Sequence, residues 1–190
     1  MKYQALVSSV LPPLAAGLRP FLKEDSHPVS TEQLSPGKKW LDLAQFNWDP
    51  YVLTDVSLDC SRDTMEQNYQ CLYKFHWDDP NYDESMDCDT IIEWDGITLE
   101  QGPNNSFTTN YMLCQPGDLW QFKFDVVRSL WDFNMTITKD HKDPQKFGAY
   151  LAQFFSYPNI TMVKMGESDN RTLNYATTGP VKAIIQGLAM

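Results

Sequence analysis

Residues 120–138 read WQFKFDVVRSLWDFNMTIT, and this stretch decides the fold class. Over Trp120–Val127, Phe122, Phe124 and Val126 alternate with Gln121, Lys123 and Asp125. Over Trp131–Thr138, Trp131, Phe133, Met135 and Ile137 alternate with Asp132, Asn134, Thr136 and Thr138. A period of two sends one set of side chains to each face of an extended strand. Two such runs joined by a few residues predict an antiparallel hairpin, apolar on one side.

Upstream, the same texture repeats. Val52–Cys60 places Val56, Leu58 and Cys60 on one face, with Ser57 and Asp59 on the other. Tyr69–Trp77 places Cys71, Tyr73, Phe75 and Trp77 inward and Leu72, Lys74 and His76 outward. Further strands are expected at Trp40–Trp48, Thr90–Trp94, Phe107–Cys114, Ile160–Met165 and Thr172–Thr177, separated by turn residues. The stretch Asp78–Asp89, DDPNYDESMDCD, reads as an acidic, solvated loop. Asp143 as N-cap, Pro144 at the first helical position and the stripe Phe147, Tyr150, Leu151, Phe154 predict an amphipathic helix over residues 143–155. Val181, Ile184, Ile185 and Leu188 predict a short C-terminal helical tail. The expected architecture is mainly β: an antiparallel β-barrel or sandwich of about eight strands with these two helical additions.

The expected domain layout is a signal-like leader over residues 1–20, an irregular arm over 21–39 and one β-barrel domain over 40–190. The leader has a charge at Lys2 and none until Arg19, with Ala15 and Gly17 placed for cleavage, although Pro12-Pro13 interrupts its apolar run. Four Asn-x-Ser/Thr motifs, at Asn104, Asn134, Asn159 and Asn170, also point to the secretory pathway. Ten asparagines would give roughly one such motif by chance. Cys60, Cys71, Cys88 and Cys114 form no CxxC pair, and His27, His76 and His141 are the only histidines. Zinc is therefore disfavoured, and two disulfides are expected. Cys60 and Cys71 lie on the apolar faces of neighbouring strands flanking one loop, so Cys60–Cys71 and Cys88–Cys114 are the preferred pairs among three connectivities.

Composition excludes some functions. A net charge of −10 with no basic stripe argues against nucleic acid and against anionic membrane surfaces. No segment is long and apolar enough to span a bilayer. Nucleophile elbows, phosphate loops, dinucleotide fingerprints and HExxH are missing from the sequence, and no cofactor is implied. Two functional readings remain. Tyr73, Phe75, Trp77, Trp120, Phe122, Phe124, Trp131, Phe133 and Met135 would line an apolar interior that holds a small apolar molecule. Alternatively, such an interior with one or two polar groups would direct the cyclisation or isomerisation of a natural-product intermediate, with Glu93, Asp125 and His76 as candidate acids and bases, although alternation turns Asp125 and His76 outward and leaves Glu93 on either face.

The runs VLTDVSLDC, YQCLYKFHWDDPN and CQPGDLWQFKFDVV…WDFNMTITKDHKD carry a resemblance over residues 40–141. It rests on Cys60, Cys71, Asp79-Pro80-Asn81, Cys114, Phe122, Phe124 and the end Thr138–His141. In these features the chain resembles the secreted fungal β-barrel proteins related to the major Alternaria allergen. That resemblance implies a β-barrel associated with ligand binding and host interaction, and it transfers no catalytic residue. The helix at 143–155 and the cysteine-free final third depart from the pattern.

Overall fold

The computed structural model describes residues 47–98, 105–107, 110–114, 119–166 and 169–190. The leader, the arm, residues 40–46 of the first expected strand and Asn104 lie outside them. Asn47–Pro50 are not in a strand.

Two antiparallel sheets carry the described chain, and neither closes into a barrel. In the first sheet, β1 (Tyr51–Ser61), β2 (Tyr69–Asp79) and β3 (Glu84–Trp94) form a meander. On its other side β1 pairs with β10 (Thr172–Ala176) and β11 (Val181–Ala183), and β10 pairs with β9 (Val163–Lys164). The second sheet is built on β5 (Trp120–Ser129) and β6 (Asp132–His141), the hairpin expected from residues 120–138. Flanking them are β4 (Met112–Leu113), β7 (Ala152–Ser156), β8 (Asn159–Thr161) and β12 (Ile185–Ala189).

The inner faces meet through aromatic rings. Tyr73 of the first sheet lies 5.5 Å from both Phe124 and Phe133 of the second, Phe75 lies 5.1 Å from Phe122, and Trp77 meets Trp120 edge-on at 4.8 Å. These edge-to-face contacts let ring hydrogens point at neighbouring π faces while burying large apolar areas.

Both disulfides are local cross-links between extended segments. Cys60 and Cys71 occupy directly opposed positions of β1 and β2, and Cys88 of β3 is bonded to Cys114.

Several expectations need correction. The acidic stretch is not a loop: Asp78 and Asp79 end β2, a short turn follows, and Glu84–Asp89 begin β3. Exposed Asp87 and Asp89 alternate with more buried Met86 and Cys88, so the charges line one face of a strand at a sheet edge. Such charges blunt an edge against further pairing.

The expected helix over residues 143–155 shrinks to α1 (Pro144–Phe147). Asp143 caps it, accepting from the backbone amides of Gln145 at 3.0 Å and Lys146 at 3.1 Å. Gly148 ends it at φ 66°, a conformation that costs glycine little. Tyr150 and Leu151 are exposed, whereas Ala152, Phe154 and Ser156 point inward from β7 with period two. The helical spacing of Phe147 and Phe154 thus spans two elements.

The C-terminal tail is not helical either. It forms β11 on the first sheet and β12 on the second, with exposed Ile184 at the crossing. Residues 160–165 divide similarly: β8 joins the second sheet, β9 the first, and buried Met162 sits between. Open sheet edges offer these segments backbone partners that a short isolated helix would lack.

A bulge shifts the phase of β1. Tyr51 and Leu53 are buried at odd positions, and Val56, Leu58 and Cys60 at even ones. Between them, Asp55 stands at φ 52° where the β1–β2 register slips. The extra residue lets both halves of β1 face the core.

Candidate functional site

The aromatic side chains expected to line a cavity pack instead on one another. Tyr73, Phe75, Trp77, Trp120, Phe122, Phe124, Phe133 and Met135 are all buried. An internal void wide enough for water would give its lining residues accessible surface, yet Tyr73, Trp77, Phe122 and Met135 have none. Trp131 was expected inward. It lies in the β5–β6 turn, 39% exposed, with its ring stacked 5.1 Å from Tyr175 of β10. Val126 is also exposed, because a bulge after Phe124 reverses the alternation.

The three candidate acids and bases lie apart. His76 and Glu93 share the outer face of the first sheet, where Glu93 is opposite Gln70 and His76 opposite Asp87. Six residues of β2 separate the two positions, roughly 20 Å along a strand. Asp125 is on the second sheet, ion-paired with Lys123 at 3.1 Å and accepting from the Thr136 hydroxyl. His76 contacts Asp87 at 2.6 Å and Asp78 at 3.2 Å. The Asp87 hydrogen bond, reinforced by Asp78, raises its imidazole above the ordinary value.

Sequence reading did not find the main titratable cluster, at the end of the molecule where β1 begins. Lys139 Nζ is 2.6 Å from both Asp79 Oδ2 and Glu84 Oε2, and it lies 3.9 Å from the Trp120 ring centre. His141 Nε2 is 3.3 Å from the Tyr51 hydroxyl and 3.5 Å from Asp79 Oδ2. Asn81 donates to Asp79 Oδ1 through its backbone amide and side chain, both at 3.0 Å. Tyr82 stacks on His141 with ring centres 4.3 Å apart and covers it. Burial, aided by the charge of Lys139, lowers the His141 pKa to about 4. Burial and the neighbouring Asp79 carboxylate hold the Tyr51 hydroxyl protonated far above the usual phenol range. Tyr51, Asp79, Lys139 and His141 are all buried, and the acid and base come from different sheets. Such a closed network orders the end of the fold. A reacting molecule would have to displace Tyr82 to reach it.

The opposite end is open. Arg62, Tyr69 and Trp94 stack in sequence: the guanidinium lies 4.3 Å from the Tyr69 ring centre, and that ring is 5.5 Å from Trp94 at 28°. The wall is fixed by hydrogen bonds. Arg62 Nε and Nη2 donate to the Asn170 carbonyl at 2.9 and 2.7 Å, and the Tyr69 hydroxyl donates to the same oxygen at 2.9 Å. Trp94 Nε1 donates to the Thr98 carbonyl at 2.7 Å. Gly96 makes this packing possible, because it stands at φ +83° and a Cβ there would lie 3.1 Å from the Tyr69 ring.

Beside this wall runs a groove of about 440 Å³, completed by Met65, Ile97, Leu173 and Tyr175. Across Arg62 it meets a polar depression of about 320 Å³ that contains Gln70 and Glu93, whose side chains are joined at 3.0 Å. The Cys60–Cys71 disulfide joins β1 and β2 next to the loop that carries Arg62 and Met65. A third depression, about 470 Å³ over the bulge at Asp55, is lined by Thr54–Ser57 and Ala176–Pro180 and presents no aromatic ring.

Among the described residues, no cluster of His, Cys, Asp and Glu is arranged to hold a metal ion, and no helix is long and apolar enough to cross a membrane. The class defined by these observations is a two-sheet antiparallel β protein, stapled by two disulfides, with one packed end and one grooved end. Comparison of the chain with family models, curated proteins and solved structures returned no match.

Proposed function

We propose that this is a secreted, non-catalytic binding protein whose groove takes a small amphipathic molecule, one with an apolar ring face and hydroxyl groups along an edge. The observation that carries this reading is the braced Arg62–Tyr69–Trp94 stack, in which Tyr69 is buried while half-buried Arg62 and Trp94, with Tyr175, line a groove adjoining the Gln70–Glu93 pair. Aromatic faces bind apolar ring surfaces, while nearby amide and carboxylate groups fix hydroxyl positions. A wall already held by these four hydrogen bonds loses little conformational entropy when a ligand arrives. Two disulfides and four Asn-x-Ser/Thr motifs support an oxidising, secretory setting. The resemblance to secreted fungal allergen-related proteins points the same way, towards ligand binding or a host partner.

The cyclase reading has less support. It needs an acid facing an apolar cavity, whereas Glu93, Asp125 and His76 lie on outer faces and the aromatic interior is packed.

Titration with phenolic, terpenoid-alcohol and sugar probes, followed by amide NMR shifts and Trp fluorescence, tests the binding reading. A probe that binds should shift signals from Arg62, Trp94 and Ile97, and Trp94→Ala should weaken its binding by about tenfold or more. Shifts confined to other surfaces, or an unchanged affinity in Trp94→Ala, would overturn the assignment.

A further inference from the structure

The outer face of the second sheet brings two of the Asn-x-Ser/Thr motifs together. Asn134 of β6 and Asn159 of β8 are directly opposed partners in the strand register, although 25 positions separate them in sequence. Arg128 joins them. Its Nη1 donates to Asn134 Oδ1 at 2.8 Å and its Nη2 donates to Asn159 Oδ1. The guanidinium is itself oriented by Asp132, at 2.9 Å from Nε and 2.6 Å from Nη2.

The choice of atoms matters. Arg128 holds the carbonyl oxygen of each amide, the atom that N-glycosylation leaves unchanged. Both Nδ2 atoms are consequently directed away from the cation. We propose that Asn134 and Asn159 carry N-linked glycans on the same molecule and form one doubly glycosylated patch. This rests on the secretory reading above. The bond forms between Nδ2 and the anomeric carbon of a lipid-pyrophosphate-linked oligosaccharide. The carbon–oxygen bond to pyrophosphate breaks, the lipid pyrophosphate leaves, and the amide gives up one of its two protons. The remaining N–H and the carbonyl stay available, so Arg128 can keep both contacts after modification. Opposed residues on neighbouring antiparallel strands have Cβ atoms about 5 Å apart, so the first sugars stand side by side and screen one another. Asn170, at the far side of the groove wall, is the internal comparison.

The test is glycopeptide mass spectrometry of the full chain expressed in a eukaryotic secretory host, with timed endoglycosidase release from the native protein. Molecules bearing both glycans are expected, with release at this pair slower than at Asn170. Asn134→Gln should speed release at Asn159 severalfold, and Asn159→Gln should do the same for Asn134. Molecules that carry one or the other glycan but never both would overturn the proposal alone. So would a release rate at each site indifferent to the other. A secreted-route product with no glycan at any of the four motifs would overturn the secretory reading together with it.

Discussion

Lys139 Nζ lies 2.6 Å from Asp79 Oδ2, so a lysine of the second sheet is ion-paired with the last residue of β2 in the first, and both side chains are buried. Removing Lys139 would strand the Asp79 charge in the interior, whereas removing Asp79 would leave Lys139 with Glu84 alone, a partner whose side chain is mostly exposed. Lys139→Ala is expected to destabilise the fold by about 3–5 kcal/mol in denaturant unfolding. Replacing Lys139 by Met and Asp79 by Asn together should cost less than the two single changes added, because the one carboxylate left unpaired, Glu84, is exposed to water. Strict additivity would show that the pair is not coupled.

The two described histidines should give opposite pH signatures. His76 is raised by its acidic partners, so its contribution to stability is full below the unfolded value near 6.5 and is lost as pH rises through the higher folded value. His141 is lowered to about 4, so its contribution is full above that unfolded value and falls away as pH drops from there towards about 4. Imidazole proton titration by NMR should resolve one midpoint on each side of the ordinary value. Two coincident midpoints would contradict the environments described.

Gly96→Ala tests the groove wall without touching its polar groups. The alanine must adopt φ +83° with its Cβ 3.1 Å from the Tyr69 ring. A loss of about 1–2 kcal/mol is expected, accompanied by a change in Trp94 fluorescence as the stack shifts. Gly148→Ala provides the contrast: it shares a positive φ, but nothing lies within 4 Å of its Cβ, so Trp94 should not respond.

Asp55 provides a check on the bulge. At φ 52° a glycine is easily accommodated, so Asp55→Gly should be neutral or slightly stabilising. Asp55→Val should cost about 1–2 kcal/mol in thermal or denaturant unfolding, since a branched Cβ crowds the left-handed region. Deleting the residue is predicted to be far worse, because Tyr51 and Leu53 would turn to the opposite face.

The disulfides differ in the loops they close, which span 11 and 26 residues. Chain-entropy arguments assign losses of about 3 kcal/mol to removal of Cys60–Cys71 and slightly more for Cys88–Cys114. Hydrogen exchange should show the first loss around the groove loop and the second along β3. A uniform change across both sheets would argue against local anchoring.

Strands with clean alternation are legible in the sequence. The β5–β6 hairpin and the inward set Cys71, Tyr73, Phe75 and Trp77 follow from period two, and the preferred cysteine pairing from period two together with the one loop that Cys60 and Cys71 flank. Where alternation breaks, the sequence misleads. Asp55 and Asp125 sit at bulges that reverse the pattern, and nothing local marks them as such. The stripe from Phe147 to Phe154 mimics a helix because buried Phe147 of α1 and buried Phe154 of β7 happen to stand seven residues apart. The candidate groove was missed for a related reason. Arg62, Trp94 and Tyr175 come from three distant segments, and no periodicity joins them.

The sequence by itself determined a β protein with two disulfides, since alternation, turns and cysteine placement are local properties of the chain. Only the tertiary structure decided that the sheets stay open, that the tail joins both of them and that the aromatic interior is filled. The same holds for the Lys139–Asp79 pair and the Arg62–Tyr69–Trp94 wall. Their members meet only when separate strands pack, and side-chain contact across sheets has no signature along one chain.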